Sequence, residues 1–176
     1  RLMVGYNRRF APSLLRAREI FRSRNRGKPA MVTYRAVDAA SLWPAWPFDP
    51  KVGGGKVMSE GCHFYDLLSW FLEEEPVSVQ CSGGRSDNNF IQITFAGGSL
   101  ACVVSGGGGA VTYPKERMEV FCHGTTLVLD HFLRLTTDGY GPVTIEDFPF
   151  SADPYPATAG RDPVETYRLK MARWRE

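Results

Sequence analysis

The sequence lacks any run of about 20 apolar residues and opens on no charged, apolar, small-residue leader, so it displays neither a membrane span nor a secretory signal. Repeats and low-complexity tracts are missing too. The four cysteines, Cys62, Cys81, Cys102 and Cys122, include no CxxC pair and stand about 20 residues apart, which argues against zinc-ligand spacing and a dense disulfide framework. Each lies in an apolar stretch, where a free cysteine behaves as a small buried hydrophobe, and a reducing, cytoplasmic setting is the expectation. Acidic residues are scarce at the start: Arg1, Arg8, Arg9, Arg16, Arg18, Arg22, Arg24, Arg26 and Lys28 face only Glu19. A nucleic-acid-binding arm is one reading of that stretch. A basic outer face on an amphipathic helix fits better, because the arginines alternate with an apolar stripe.

What remains is ordinary globular composition, with 43% hydrophobic and 23% charged residues in 176 and a net charge of +2. That length makes one domain and buries about 70% of the surface exposed on unfolding.

Leu2 to Gly5 reads as a short strand stopped by a turn. Pro12 opens a helix to about Arg24, with Phe10, Leu14, Ala17 and Phe21 at helical spacing. Met31 to Val37 is β-branched and aromatic, as in a strand. Ser41 to Gly55 is an aromatic loop carrying Trp43, Trp46 and Phe48, and it ends in Gly53-Gly54-Gly55. Gly61 to Glu73 returns to helical spacing. Strands are then expected at 77–81, 90–95, 100–105, 116–122, 126–129 and 132–136, paired antiparallel through turns such as Asp87-Asn88-Asn89 and Ala96-Gly97-Gly98. Asp162-Pro163 opens a last helix toward Arg175. This order predicts an α+β fold, a large, mostly antiparallel open sheet with helices on one face.

Chemistry concentrates in Gly53 to Asp66. Glu60, His63 and Asp66 fall at successive i, i+3 positions, so on a helix the imidazole lies between two carboxylates. A histidine so flanked can carry a proton at neutral pH; equally, His63 and Asp66 could brace the helix start. A metal site would need further convergent ligands that the sequence does not display, so none is expected. The triple glycine lacks the strand-then-GxGxxG context of a phosphate cradle. Gly106 to Gly109 reads as a hairpin connection or bulged strand end, and His123 and His131 as structural.

Val4-Gly5-Tyr6-Asn7-Arg8-Arg9-Phe10 followed by Pro12, and then Gly53-Gly54-Gly55 leading to Gly61-Cys62-His63-Phe64-Tyr65-Asp66, resemble the glucose-fructose oxidoreductase, inositol dehydrogenase and MocA-type family of nicotinamide-dependent dehydrogenases. Met118 to Leu135 resembles that family's second domain.

The resemblance implies the dihydrodipicolinate-reductase-like C-terminal domain of a Rossmann-type enzyme. Residues 1–10 would be the last strand and linker of a dinucleotide-binding domain, and 11–176 a substrate-binding and oligomerisation domain. The GxGxxG fingerprint and the family's Glu-Lys-Pro motif are absent from the chain.

The family's catalytic histidine maps onto His63. Its aspartate four residues earlier is Ser59 here, and Glu60 is the candidate substitute. The resemblance further implies substrate contacts from Lys56, Trp43, Trp46 and Asp66, and cofactor contacts from Tyr6, Asn7 and Arg9. NAD or NADP would serve the intact protein, with none bound by this chain alone. The substrate would be a sugar, a cyclitol or a related hydroxyl compound, and the assembly a homodimer or tetramer through the sheet face. No nucleic acid or membrane partner is expected. A noncatalytic, sheet-mediated assembly module is the alternative.

Overall fold

In a computed structural model of the chain, the described residues are 3–49, 51–84 and 87–148. The α+β expectation holds. An eight-stranded sheet runs in the order β2-β3-β4-β1-β5-β6-β7-β8, and two long helices cover one face. The strands are β1 Met31–Val37, β2 Pro76–Gly83, β3 Asn89–Phe95, β4 Leu100–Gly106, β5 Glu116–Cys122, β6 Thr125–Asp130, β7 Arg134–Asp138 and β8 Thr144–Asp147. Neighbours pair antiparallel with one exception: β1 sits between β4 and β5, parallel to the first and antiparallel to the second.

Helix α1, Pro12–Asn25, has its proline in the first turn and buries Leu14, Ala17 and Phe21. Helix α2 spans Lys56–Leu72 and so begins earlier than the expected Gly61. Gly54 and Gly55 have φ of 75° and 93°, a region glycine enters without steric cost, and the chain turns helical directly after them. Phe64, Leu67, Leu68 and Phe71 of α2 are fully buried. Their spacing of one turn lays them along the sheet, where Phe71 meets Phe21 and Phe64 meets Tyr34, each pair with ring centroids 5.2 Å apart. Such side chains contribute about 1.5–3 kcal/mol each when removed from water.

Two expectations are corrected, and one strand was not expected. The described part of the first expected strand, Met3–Gly5, is not a strand: among the described residues none pairs with it. The chain instead tightens into a short 3-10 turn at Asn7–Phe10. The strand expected at 132–136 starts at Arg134, because His131 and Phe132 turn through φ of 48° and 59°. Edge strand β8 carries no clear inward-outward alternation and was not visible in the pattern. The helix expected after Pro163 lies outside the described residues.

Candidate active site

The polar stripe of α2 faces the segment Tyr6 to Arg9. The three α2 residues singled out by spacing each meet one residue of that segment. Glu60 accepts a hydrogen bond from Arg8 Nη2 at 3.3 Å. The rings of His63 and Tyr6 stand edge to face, 5.8 Å between centroids. Asp66 accepts two bonds from the Arg9 guanidinium, that from Nε at 2.5 Å. The spacing therefore groups these residues correctly, but no hydrogen bond joins either carboxylate to the imidazole. Among the described residues, buried His63 Nδ1 and Glu60 Oε2 have no hydrogen-bond partner.

Behind His63 lies a buried charge cluster that the sequence did not reveal. Arg8 grips Glu116 with a fork, Nε to Oε2 at 2.9 Å and Nη2 to Oε1 at 2.6 Å. The Tyr34 hydroxyl also donates to Glu116. Lys56 pairs with Asp38, donates to the Gly106 carbonyl at 3.0 Å and lies 3.6 Å from Glu60. Lys115 pairs with Glu60 and, at 3.0 Å, with Asp38. Three cations thus meet three carboxylates, an arrangement in which each buried charge has its partner. One visible signal was Glu116, an acid at the start of the buried set Glu116, Met118, Val120 and Cys122 on β5.

Trp43 closes this cluster. Its ring lies 5.4 Å from Lys56 Nζ and 4.8 Å from Lys115 Nζ, and its Nε1 donates to Asp38 at 2.8 Å. Lys56 is 2% exposed, and its ammonium is paired with Asp38. Trp46, 54% exposed, keeps a free aromatic surface. Asn7 is exposed beside Arg8, whereas Arg9 is committed to Asp66.

Burial, and then the nearby positive charge of Arg8, lower the pKa of His63, outweighing Glu60, Glu116 and Asp66. The ring is therefore neutral at pH 7 and able to accept a proton. Burial would raise the Glu116 carboxyl, but the bond and charge of Arg8, with Lys115 and Tyr34, hold it below the usual range. Asp38 is held low in the same way by Lys56 and Lys115.

The sequence profile of the GFO/IDH/MocA C-terminal domain matches residues 14–128. The chain belongs to this family. An inositol 2-dehydrogenase of Rhizobium meliloti (strain 1021) is 31% identical over 137 residues, covering 71% of this chain and 39% of that protein. Two solved structures share the fold with a TM-score of 0.67 and 19% identity each. One is an inositol dehydrogenase homolog complexed with NAD+ from Azotobacter vinelandii, covering 97% of this chain and 51% of that one. The other is an aldose-aldose oxidoreductase from Caulobacter crescentus complexed with glycerol, covering 98% and 52%. The chain thus spans about half the length of these solved relatives, and less of the Rhizobium protein.

The family implies a nicotinamide dinucleotide, and neither Gly53 nor the run 106–109 fits one as a pyrophosphate cradle. A Cβ on Gly53 would stand 2.5 Å from the Trp46 carbonyl oxygen and 2.6 Å from the Pro47 Cα. The space beside that glycine is already filled by the chain's own loop. Gly106 to Gly109 is likewise occupied: Lys56 binds the first carbonyl, Asp87 accepts from the Gly107 amide at 2.6 Å, and Gly108 bridges Ala39.

Proposed function

We propose that this chain is the substrate-facing and assembly half of an NAD(P)-dependent oxidoreductase acting on a sugar, cyclitol or related hydroxyl carbon. A dinucleotide domain elsewhere in a longer protein would hold the cofactor, and the chain alone would be inactive. The observation that carries this reading is His63: half-buried, neutral, with Nδ1 free of any partner and a lowered proton affinity caused by burial and Arg8. His63 takes the proton of the substrate hydroxyl as the carbon is oxidised, and returns it in the reverse direction. Tyr6 packs edge-on against the ring and limits its tilt. Trp46 supplies an apolar face of the kind that packs on sugar C–H groups. Asn7 is free to approach the cofactor, and Glu60 and Asp66 act through the arginines that hold α2 in place.

His63→Ala in the longer enzyme is expected to lower kcat by about 100-fold or more with protein stability retained. Unchanged turnover would remove His63 from the reaction.

The assembly role rests on a separate observation. The sheet face away from the helices presents Met31, Phe90, Leu100 and Phe121, all exposed. Met31 pairs with both Leu100 and Phe121 in the strand register, so these three side chains form one patch. A second copy of the same face is the proposed cover.

A further inference from the structure

His63 Nδ1 and Glu60 Oε2 are both buried and both lack a hydrogen-bond partner, although their residues lie one helical turn apart on α2. Carboxylate and imidazole at i, i+3 can ordinarily reach each other. What keeps them apart is on the other side of Glu60. Its Oε1 is held by Lys115 and by Arg8, and Oε2 lies 3.6 Å from Lys56. Arg8 is also forked onto Glu116 and lies over the Phe64 ring at 5.2 Å, so its guanidinium cannot shift without breaking the Glu116 pair.

We propose that Arg8 is a positioning residue for His63: by holding Glu60 and Glu116, it keeps both carboxylates from engaging the imidazole and leaves the ring free to exchange a proton with substrate. This rests on reading His63 as the proton-transfer group. The charged and titratable groups that act on the ring are Tyr6 and Arg8 from the leading segment, Glu60 and Asp66 from α2, and Glu116 from the start of β5; Arg9, Lys56 and Lys115 pair with these acids. Arg9 is spent on Asp66. Lys56 and Lys115 are shared with Asp38. Arg8 has no such competing acid beyond the two it holds, and of the two carboxylates Glu60 stands closer along the chain to His63. Loss of Arg8 leaves Glu60 only the two lysines that it shares with Asp38 and so gives it room to turn toward Nδ1, where it would accept the ring N–H and raise the proton affinity of the imidazole.

The test is a titration of the three histidines of this chain by NMR, with the His63 signal assigned from its disappearance in His63→Gln. In Arg8→Met the His63 midpoint should move up by about one pH unit. Adding Glu60→Gln to Arg8→Met should abolish most of that rise. A buried arginine can be essential for folding, so Arg8→Lys is read alongside: it keeps the charge but not the fork, and should move the midpoint upward by a smaller amount. An unmoved midpoint in folded Arg8→Met or in Arg8→Lys overturns the proposal, as does a rise that persists in the double variant. These readouts need no turnover. Loss of the positioning role therefore shows in the titration alone, whereas failure of the proton-transfer reading shows in the kinetics of His63→Ala.

Discussion

Asp38 and Glu116 are two of the three carboxylates in the buried charge cluster. Both are buried, and both are held below the ordinary carboxylate range in the folded state, where basic partners outweigh the burial that would raise them. A carboxyl depressed on folding stabilises the native state above its unfolded pKa, about 4, and that contribution is lost as pH falls through the folded pKa. The contribution of these two acids should therefore be flat from neutral pH to about 5 and be lost below about 4, on top of a separate decline that sets in as pH falls below about 6.5, because folding lowers the proton affinity of His63. Glu116→Gln should shrink this acid-dependent part while lowering stability at pH 7, because Arg8 is left without its forked partner. Urea midpoints measured between pH 3 and 7 would check both signs.

Helix α2 and the loop before it depend on a close backbone approach. Gly53 lies against the Trp46 carbonyl and the Pro47 Cα, neither of which can rotate away. Gly53→Ala should destabilise the chain by about 1–3 kcal/mol, whereas Gly5→Ala, with nothing within 4 Å of the added carbon, should stay within about 0.5 kcal/mol. Chemical denaturation of the two variants separates the cases. At this scale α1, β1 and β5 were readable because periodicity and burial agree along each of them. The strand expected at 132–136 misled because Phe132, a good strand former by type, occupies a left-handed turn. The spacing of Glu60, His63 and Asp66 correctly placed them on one helix stripe. It could not reveal that their partners are Arg8, Tyr6 and Arg9, because those contacts join segments more than fifty positions apart. The Asp38–Lys56–Lys115 group was hidden for the same reason: its members come from the end of β1, the start of α2 and the approach to β5.

Across the molecule, the excess of arginine near the start is answered by acids from later segments. Arg18, Arg22 and Arg26 all reach Glu73 at the end of α2, and Arg16 reaches Glu19 and Glu146. Such pairing matches the basic outer face of an amphipathic helix better than a free nucleic-acid arm. The contrasting face is the open side of the sheet, where exposed Met31, Leu100 and Phe121 adjoin. Phe121→Glu should shift the protein toward monomer in sedimentation velocity, with the circular dichroism of the fold retained. An unchanged sedimentation coefficient would remove this patch from the proposed assembly.

The placement of β1 has a bearing on how the chain comes off the ribosome. Of the strands of this sheet it comes first in the sequence, yet it occupies the middle, and its two neighbours are the third and fourth strands to follow. Until Cys122 has been synthesised, β1 has no complete pair of partners and α1 has no finished floor to settle on. The early apolar segments must wait exposed for later ones, a long-range dependence of the kind that slows folding and invites chaperones. A stop after β4 would leave the centre open along one side, whereas a stop after β7 would remove only a rim.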